Sequence, residues 1–241
     1  NNYVYAIDSE AIFLSGSSNN IISNNTVYSA VISGIELFSS SDNNIVSNNN
    51  VSSLDKAIFL SGSSNNNITN NIVTVDDDHA IYLTGSSNNI ISNNTVTAID
   101  DHGVTFTSSS SNNTIVNNVL SADKYAIRFA SSSGNNIVRN NNLTATTSDV
   151  IKDSTGESYL NSLIYNNSFG EVNWFDKADL SIVENGTIGL GTAINISSNL
   201  IQVSSDNYNN NDGSGLNQSA NITLYNTNSL VGSDNRTILR D

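Results

Sequence analysis

The stretch Ala11-Ile-Phe-Leu-Ser-Gly-Ser-Ser-Asn-Asn-Ile-Ile-Ser-Asn-Asn-Thr-Val27 decides the fold, because altered copies of it follow one another along the chain. Each copy opens with a small residue followed by Ile or Val, and these openings recur at a constant step of 23 residues. They stand at Ala11, Gly34, Ala57, Ala80, Gly103 and Ala126, and the next step falls on Asp149 and Val150. A fixed period of roughly 20 to 50 residues is typical of stacked repeat architectures.

Each copy contains three short strand patterns, in which apolar residues alternate with variable ones as in a strand with one buried face. In the first copy the inward residues are Ile12 and Leu14, then Ile22, then Val27. No helical pattern separates them, so equivalent strands are expected to stack in parallel on their own copies. Because parallel crossovers are almost always right-handed, the sequence predicts an all-β fold, a right-handed parallel β-helix with one 23-residue rung per repeat.

Two pairs of adjacent asparagines mark the turns of each repeat, beginning with Asn19 and Asn20 and with Asn24 and Asn25. Asn tolerates the left-handed backbone of a sharp bend, and its amide can bond to neighbouring backbone. Stacked on itself, Asn can also form an amide ladder. The turn before the first pair has two lengths, and the longer form precedes Asn43, Asn112 and Asn135. Those repeats lose a residue afterwards, which indicates a real register.

The pattern divides the chain into a β-helix over residues 1–169 and a β-rich C-terminal region over residues 170–241. The seventh repeat is degenerate, and no repeat is visible after it. Strand-like alternation continues in residues 193–196, 200–203, 221–225 and 236–239. We expect this region to cap the rod or to mediate its assembly, because open strand edges invite pairing.

The composition excludes several classes of protein. The 241 residues carry a net charge of −14 with 12% charged residues, so there is no basic patch for nucleic acid. The absence of Cys excludes disulfides and thiol chemistry. No apolar run is long enough for a transmembrane segment. The chain also lacks Met altogether, and we interpret it as a processed or excised piece.

Acidic residues concentrate just before the first strand of each repeat. Stacking would place Asp77, Asp100 and Asp123 in one column and Asp55, Asp78 and Asp101 in the next, with His79 above His102. Carboxylates about 4.8 Å apart repel one another unless a cation intervenes. Because hard oxygen ligands dominate, Ca²⁺ is the candidate cofactor. Two alternatives stay open: a solvated acidic edge without metal, and a catalytic site in which His79 or His102 acts as a base.

Aromatic residues lie beside that edge, in an outward column that contains Phe13, Phe59 and Tyr82. Exposed rings of this kind can stack on sugars or bury against a neighbouring protein. Lys124, Arg128 and Arg139 form a basic cluster, but no motif joins them to a carboxylate as a lyase would require. We therefore assign no catalytic residue, and the chain is expected to be non-enzymatic.

The repeat Gly34-Ile-Glu-Leu-Phe-Ser-Ser-Ser-Asp-Asn-Asn-Ile-Val-Ser-Asn-Asn-Asn-Val51 resembles the parallel β-helix repeats of NosD-like proteins, within the broad group of carbohydrate-binding proteins and sugar hydrolases. The resemblance covers residues 1–169 and implies the β-helix fold. It also implies a group that includes polysaccharide lyases, epimerases and surface proteins. The Asp-Pro-His-Asp signature of its epimerase-like members is not matched by Asp77-Asp-His79, since the chain has no Pro. Residues 220–225 are similar to the ends of archaeal surface β-helix proteins.

These observations favour an extracellular, cell-surface protein with a structural or adhesive role. Asn1 falls in the middle of a rung, so either rungs that precede it have been removed or another subunit covers the open edge. In the second case copies would associate head to tail into filaments, with 222–224 or 238–239 as donor strands. The expected partner is then the protein itself. The alternative is a carbohydrate-binding or carbohydrate-active protein of the lyase, hydrolase or epimerase type, whose partners would be glycans.

Overall fold

A computed structural model describes residues 1–156, 158–177, 179–182, 186–198, 200–203 and 219–225. All regular elements in these ranges are β-strands, and parallel sheets wind into a solenoid of about 7 turns with about 23 residues per rung. The predicted parallel β-helix is therefore confirmed. No helix that is long and apolar enough to cross a membrane occurs in these ranges.

Three sheets run along the rod. Sheet I consists of β2 (Ile12–Ser15), β5 (Ile35–Phe38), β8 (Ile58–Ser61), β11 (Ile81–Thr84), β14 (Val104–Thr107), β17 (Ile127–Ala130) and β20 (Ile151–Ser154). Sheet II consists of β3 (Ile21–Ser23), β6 (Ile45–Ser47), β9 (Asn67–Thr69), β12 (Ile90–Ser92), β15 (Thr114–Val116), β18 (Ile137–Arg139), β21 (Asn161–Asn166), β22 (Gly170–Lys177) and β26 (Asn221–Leu224). Sheet III consists of β1 (Tyr3–Ala6), β4 (Thr26–Ser29), β7 (Asn50–Ser53), β10 (Ile72–Val75), β13 (Thr95–Ala98), β16 (Val119–Ala122), β19 (Asn142–Ala145) and β23 (Gly186–Ile188).

Equivalent repeat positions pair directly across the rungs. In sheet I, Leu83 pairs with Leu60 on one side and with Phe106 on the other. All three are completely buried, and the inward columns of sheets II and III are buried in the same way from Val46 onward. Each fully buried side chain of this size stabilises the fold by about 1.5–3 kcal/mol. The apolar columns predicted from the repeat therefore form one continuous core.

The two asparagines of each pair have different roles in the turn. The first adopts a left-handed backbone, with φ between 51° and 62° throughout the rod. The second turns inward; from Asn44 onward it is buried in both sets of pairs. The expected left-handed bend and the expected ladder are thus both present, on adjacent residues.

The inward asparagines form two ladders that run in one direction. The side-chain oxygen of each accepts a bond from the backbone N–H of its equivalent one rung earlier, as Asn113 accepts from Asn89 at 2.8 Å. The side-chain amide of Asn89 donates to the same oxygen at 3.1 Å. The ladder continues through Asn136 to Asn161, whose amide donates to the buried carboxylate of Asp153 at 3.0 Å.

The two turn lengths also have a backbone explanation. The short turns place one glycine in the left-handed region, Gly16, Gly62 and Gly85 with φ of 55° to 57°. The long turns use two consecutive left-handed serines instead, such as Ser39 and Ser40 with φ of 51° and 63°. The long turn therefore accommodates its extra residue by placing a second serine in the left-handed region.

Antiparallel pairing begins after β21, and it covers the last rung on all three sides. In sheet II, β22 pairs with β21; in sheet III, β23 pairs with β19; in sheet I, Ile182 bridges Ile151. The alternation predicted in this region corresponds to β24 (Ile194–Ser197), β25 (Leu200–Val203) and β26. The predicted strand at 236–239 lies outside the described residues.

The outward face of sheet I holds a buried carboxylate. Glu36 pairs in register with Phe13 and Phe59 and is only 7% exposed. Burial raises the pKa of Glu36, and the nearby charge of Glu10 raises the pKa further. The ionised form is therefore disfavoured in the folded protein.

Replacing Asn113 by Ala should lower stability by about 2–4 kcal/mol, because buried partners on both neighbouring rungs lose their bonds. Asn112→Gly is the matched control: Asn112 is exposed with φ of 58°, which glycine adopts freely. Urea denaturation followed by circular dichroism would measure both. Equal midpoints for the two variants would contradict a stabilising role for the ladder.

Glu36→Gln should stabilise the protein at pH 7 more than at pH 4. Since the folded pKa of Glu36 is raised, its contribution to stability is present below the unfolded pKa and is lost as pH rises through the folded value. The Gln variant does not titrate, so its advantage grows with pH. Urea midpoints at the two pH values provide the measurement, with Glu171→Gln as control. An advantage that shrinks with rising pH would overturn this account.

Candidate functional site

The turn that precedes sheet I brings charged residues of four successive rungs together. We call this surface the polar edge; it comprises Asp55, Lys56, Asp78, His79, Asp101, His102, Lys124 and Tyr125. The backbone N–H of Ala80 bonds to the carbonyl of His102, and that of Gly103 bonds to the carbonyl of Tyr125. Lys56, His79, His102 and Tyr125 therefore occupy one column, as the repeat predicts for the two histidines.

Cationic side chains lie between the carboxylates of this edge. Lys56 Nζ contacts Asp55 at 2.9 Å and Asp78 at 2.6 Å. His79 Nδ1 then lies 3.0 Å from both Asp78 Oδ1 and Asp101 Oδ2. The repulsion expected for a column of Asp55, Asp78 and Asp101 is offset in this way, because each rung places a cation or an imidazole between two carboxylates.

Asp101 is the centre of the edge, with three nitrogen-bearing side chains around its carboxylate. His79 lies 3.0 Å from one oxygen, while His102 Nδ1 at 3.3 Å and Lys124 Nζ at 2.9 Å approach the other. Neither imidazole Nδ1 has the alignment that a hydrogen bond requires, although both atoms are buried. Two buried Nδ1 atoms without an aligned hydrogen bond therefore lie within 3.3 Å of the Asp101 oxygens.

The five predicted metal ligands are not gathered into one group. Asp77 and Asp100 are exposed, and Asp123 accepts bonds from the hydroxyls of Thr146 and Thr147 at 2.9 and 3.2 Å. Asp78 is held by Lys56 and His79. Across the described ranges, the one cluster of three such ligands with mutual distances within 4.8 Å is His79, Asp101 and His102. The calcium site over Asp77, Asp78, Asp100, Asp101 and Asp123 stays a prediction.

Aromatic stacking holds the imidazoles in place. The His79 and His102 rings stack at 4.8 Å, and His102 stacks on Tyr125 at 4.6 Å. His79 also packs against Tyr82 at 4.9 Å with a tilt of 55°. His102 therefore packs between rings of both neighbouring rungs, whereas His79 packs against His102 and against Tyr82 of its own rung. The role of Tyr125 was missed by sequence reasoning, although its position one period after His102 carried the signal.

The predicted aromatic column is interrupted. Phe59 and Tyr82 stack at 5.4 Å, and Lys56 Nζ lies 5.9 Å and 5.6 Å from their ring centres, within cation–π range. Phe13 is separated from them by Glu36 and packs instead on Phe38 at 6.0 Å. The structure therefore joins Phe59 and Tyr82 to the polar edge and leaves Phe13 apart.

Burial and pairing shift the pKa values of the edge in opposite directions. Burial opposes ionisation of Asp78, but its close contacts with the side chains of His79, Asp55 and Lys56 outweigh burial and hold the pKa of Asp78 well below its usual range. For His102, burial lowers the pKa to about 4, and repulsion from His79 and Lys124 adds to this effect while Asp101 opposes it. His102 is therefore neutral at neutral pH, with a lone pair on its ring.

Comparisons with known proteins agree with this architecture. The family model described as periplasmic copper-binding protein (NosD) matches residues 1–130. No curated protein and no solved structure gives a significant match. The match covers more than half of the 241 residues and falls on the parallel rungs that carry the polar edge. The chain therefore belongs to the NosD family.

Proposed function

We propose that the chain is a non-enzymatic structural protein of the extracellular surface, in which the β-helix serves as a rigid rod. The observation that carries this proposal is the pair of buried, unidirectional amide ladders, since they bond each rung to the next in addition to the sheets. Seven rungs about 4.8 Å apart give a rod of roughly 34 Å. A family described as periplasmic supports a location outside the cytoplasm.

We propose further that residues 170–241 act as a terminal cap or assembly region and that copies associate end to end. Within the described part of sheet II, β26 is an edge strand that uses only one of its edges, in pairing with β22. Ile222 on this strand is 45% exposed. An apolar strand edge of this kind is suited to strand addition by another copy.

Ile222→Lys should abolish end-to-end association, because a charge at the joint opposes strand addition. Ile72→Lys is the matched control, since Ile72 is 56% exposed on the side of the rod in sheet III. Light scattering over a concentration series and electron microscopy would compare both variants with the unaltered protein. Monomers at every concentration in the unaltered protein would refute self-assembly.

Glycan binding is the second candidate function, and the Phe59 and Tyr82 pair favours it. Sugars are commonly held by an aromatic surface with polar groups at its margin, and here Lys56 and Asp78 stand beside the rings. The net charge of −14 favours neutral over anionic glycans. In this proposal the side of the rod provides the adhesive surface.

Phe59→Ala and Tyr82→Ala should each weaken binding to a neutral glycan by about tenfold, because ring contacts of about 1–1.5 kcal/mol are lost. Tyr28→Ala is the control, as Tyr28 stacks on Tyr5 at 5.1 Å in sheet III, away from the polar edge. A glycan array followed by titration calorimetry would provide the affinities. Affinities unchanged in both edge variants, or an array without hits, would remove this function.

The copper in the family's description can be tested against the donor atoms of this chain. Cuprous copper prefers thiolate and thioether sulfur, and the sequence contains neither Cys nor Met. Divalent copper accepts imidazole nitrogen and carboxylate oxygen, which the polar edge supplies. The donor set therefore fits a divalent transition ion, and we include binding of such an ion in the proposal.

A further inference from the structure

We propose that His79, Asp101 and His102 bind one divalent transition-metal ion and that Lys124 occupies the carboxylate in its absence. This inference rests on the proposed binding of a divalent ion and assigns its site, its ligands and its competitor. It differs from the calcium site predicted from the acidic columns, because two of its three ligands are imidazoles, which transition ions bind and Ca²⁺ does not favour.

The distances between ligand atoms already suit such an ion. Metal–nitrogen and metal–oxygen bonds of about 2.0–2.1 Å in a tetrahedral site place neighbouring ligand atoms about 3.3 Å apart. Nδ1 of His79 lies 3.0 Å from Asp101 Oδ2, and Nδ1 of His102 lies 3.3 Å from Asp101 Oδ1. All three ligand atoms lie within 4.8 Å of one another. Binding then requires a small approach of the two imidazoles, with each ring turning to bring its plane onto the ion.

The second observation that points to a ligand is the lack of an aligned hydrogen bond at the buried Nδ1 atoms of both imidazoles. The side chain of His102 is 8% exposed, and its buried Nδ1 makes no aligned hydrogen bond. The same is true of Nδ1 of His79, whose side chain is 13% exposed. Buried nitrogen atoms normally make an aligned hydrogen bond, so these two are exceptions that call for an explanation. A metal ion beside Asp101 would satisfy both at once.

Lys124 is placed to act as the competitor. Its Nζ lies 2.9 Å from the Asp101 oxygen that also faces His102, and about half of its side chain is exposed. A long, exposed side chain can leave the carboxylate without disturbing the core, whereas His79 and His102 are held by ring stacking. Metal binding therefore exchanges one cation for another at Asp101, and the charge of the edge stays compensated in both states.

Titration calorimetry of the full chain with Cu²⁺, Zn²⁺ and Ca²⁺ would test the site. We expect one Cu²⁺ per chain, tighter than Zn²⁺ as the general order of divalent affinities requires, and no Ca²⁺ at this position. Electron paramagnetic resonance of the Cu²⁺ form should show coupling to two nitrogen nuclei. His79→Gln and His102→Gln should each weaken binding at least about tenfold, while Asp100→Asn, an exposed carboxylate one residue away, should leave it unchanged.

Lys124→Ala provides a second measurement that does not depend on the buried ligands. Removing the competing cation should tighten Cu²⁺ binding by up to roughly fivefold, because an exposed ion pair is weak. If the histidine variants fail to fold, an unchanged or weaker affinity in Lys124→Ala overturns the proposal. Stoichiometric binding that survives both histidine changes would refute this site while leaving metal binding elsewhere. No binding of Cu²⁺ or Zn²⁺ would refute the metal role altogether, without affecting the structural and glycan roles.

Discussion

In a stack of parallel coils, the backbone groups at each sharp turn are buried, and they need partners on the neighbouring rungs. An unpaired buried N–H or C=O group costs as much as several apolar contacts gain. The inward asparagine of each turn solves this problem on both sides: its oxygen accepts from the rung before, and its amide donates to the rung after or to a buried carbonyl. Asn118, for example, donates both to Asn141 and to the carbonyl of Ile91 at 2.9 Å. The high asparagine content, which by itself would be typical of a disordered chain, therefore stabilises the turns of this fold.

The register that the ladders maintain also creates the outer surface of the rod. Equivalent residues of successive rungs lie about one strand spacing apart, so any charged position becomes a column of like charges. Lys56, His79 and Lys124 break that column by reaching across to the carboxylates of adjacent rungs. The charged side chains of the polar edge lie outside sheet I and contribute little to the core. Binding properties can therefore change in this family without affecting how the rungs stack.

The period of 23 residues was sufficient to predict the three sheets, the inward columns and the double role of Asn, because stacking repeats one local solution. It was not sufficient for the side-chain contacts of the edge. The period puts Glu36 in register with the outward residues Phe13 and Phe59, yet its burial depends on the side chains of the adjacent rungs, which periodicity does not describe. The three strands at residues 193–196, 200–203 and 221–225 were visible as alternation, but their antiparallel partners were not, since pairing between unlike segments leaves no repeat to follow.

The cluster of His79, Asp101 and His102 could not be predicted from the repeat either. The period places these residues in neighbouring columns, but the side-chain rotamers determine that both imidazoles approach the same carboxylate.

The direction of the amide ladder has a consequence for how such rods change in length. In each ladder, an internal rung offers an acceptor oxygen to the rung before it and N–H donors to the rung after it, so a duplicated 23-residue unit matches both of its neighbours. Asp153 is different, because its four lone-pair positions are taken by bonds from Thr155, Asn161 and Leu180, and it offers nothing onward. Asp153 therefore ends the ladder that reaches it through Asn161. Rods of this design can therefore gain or lose rungs anywhere between their ends by simple gene duplication or deletion, provided that the segment around Asp153 remains last.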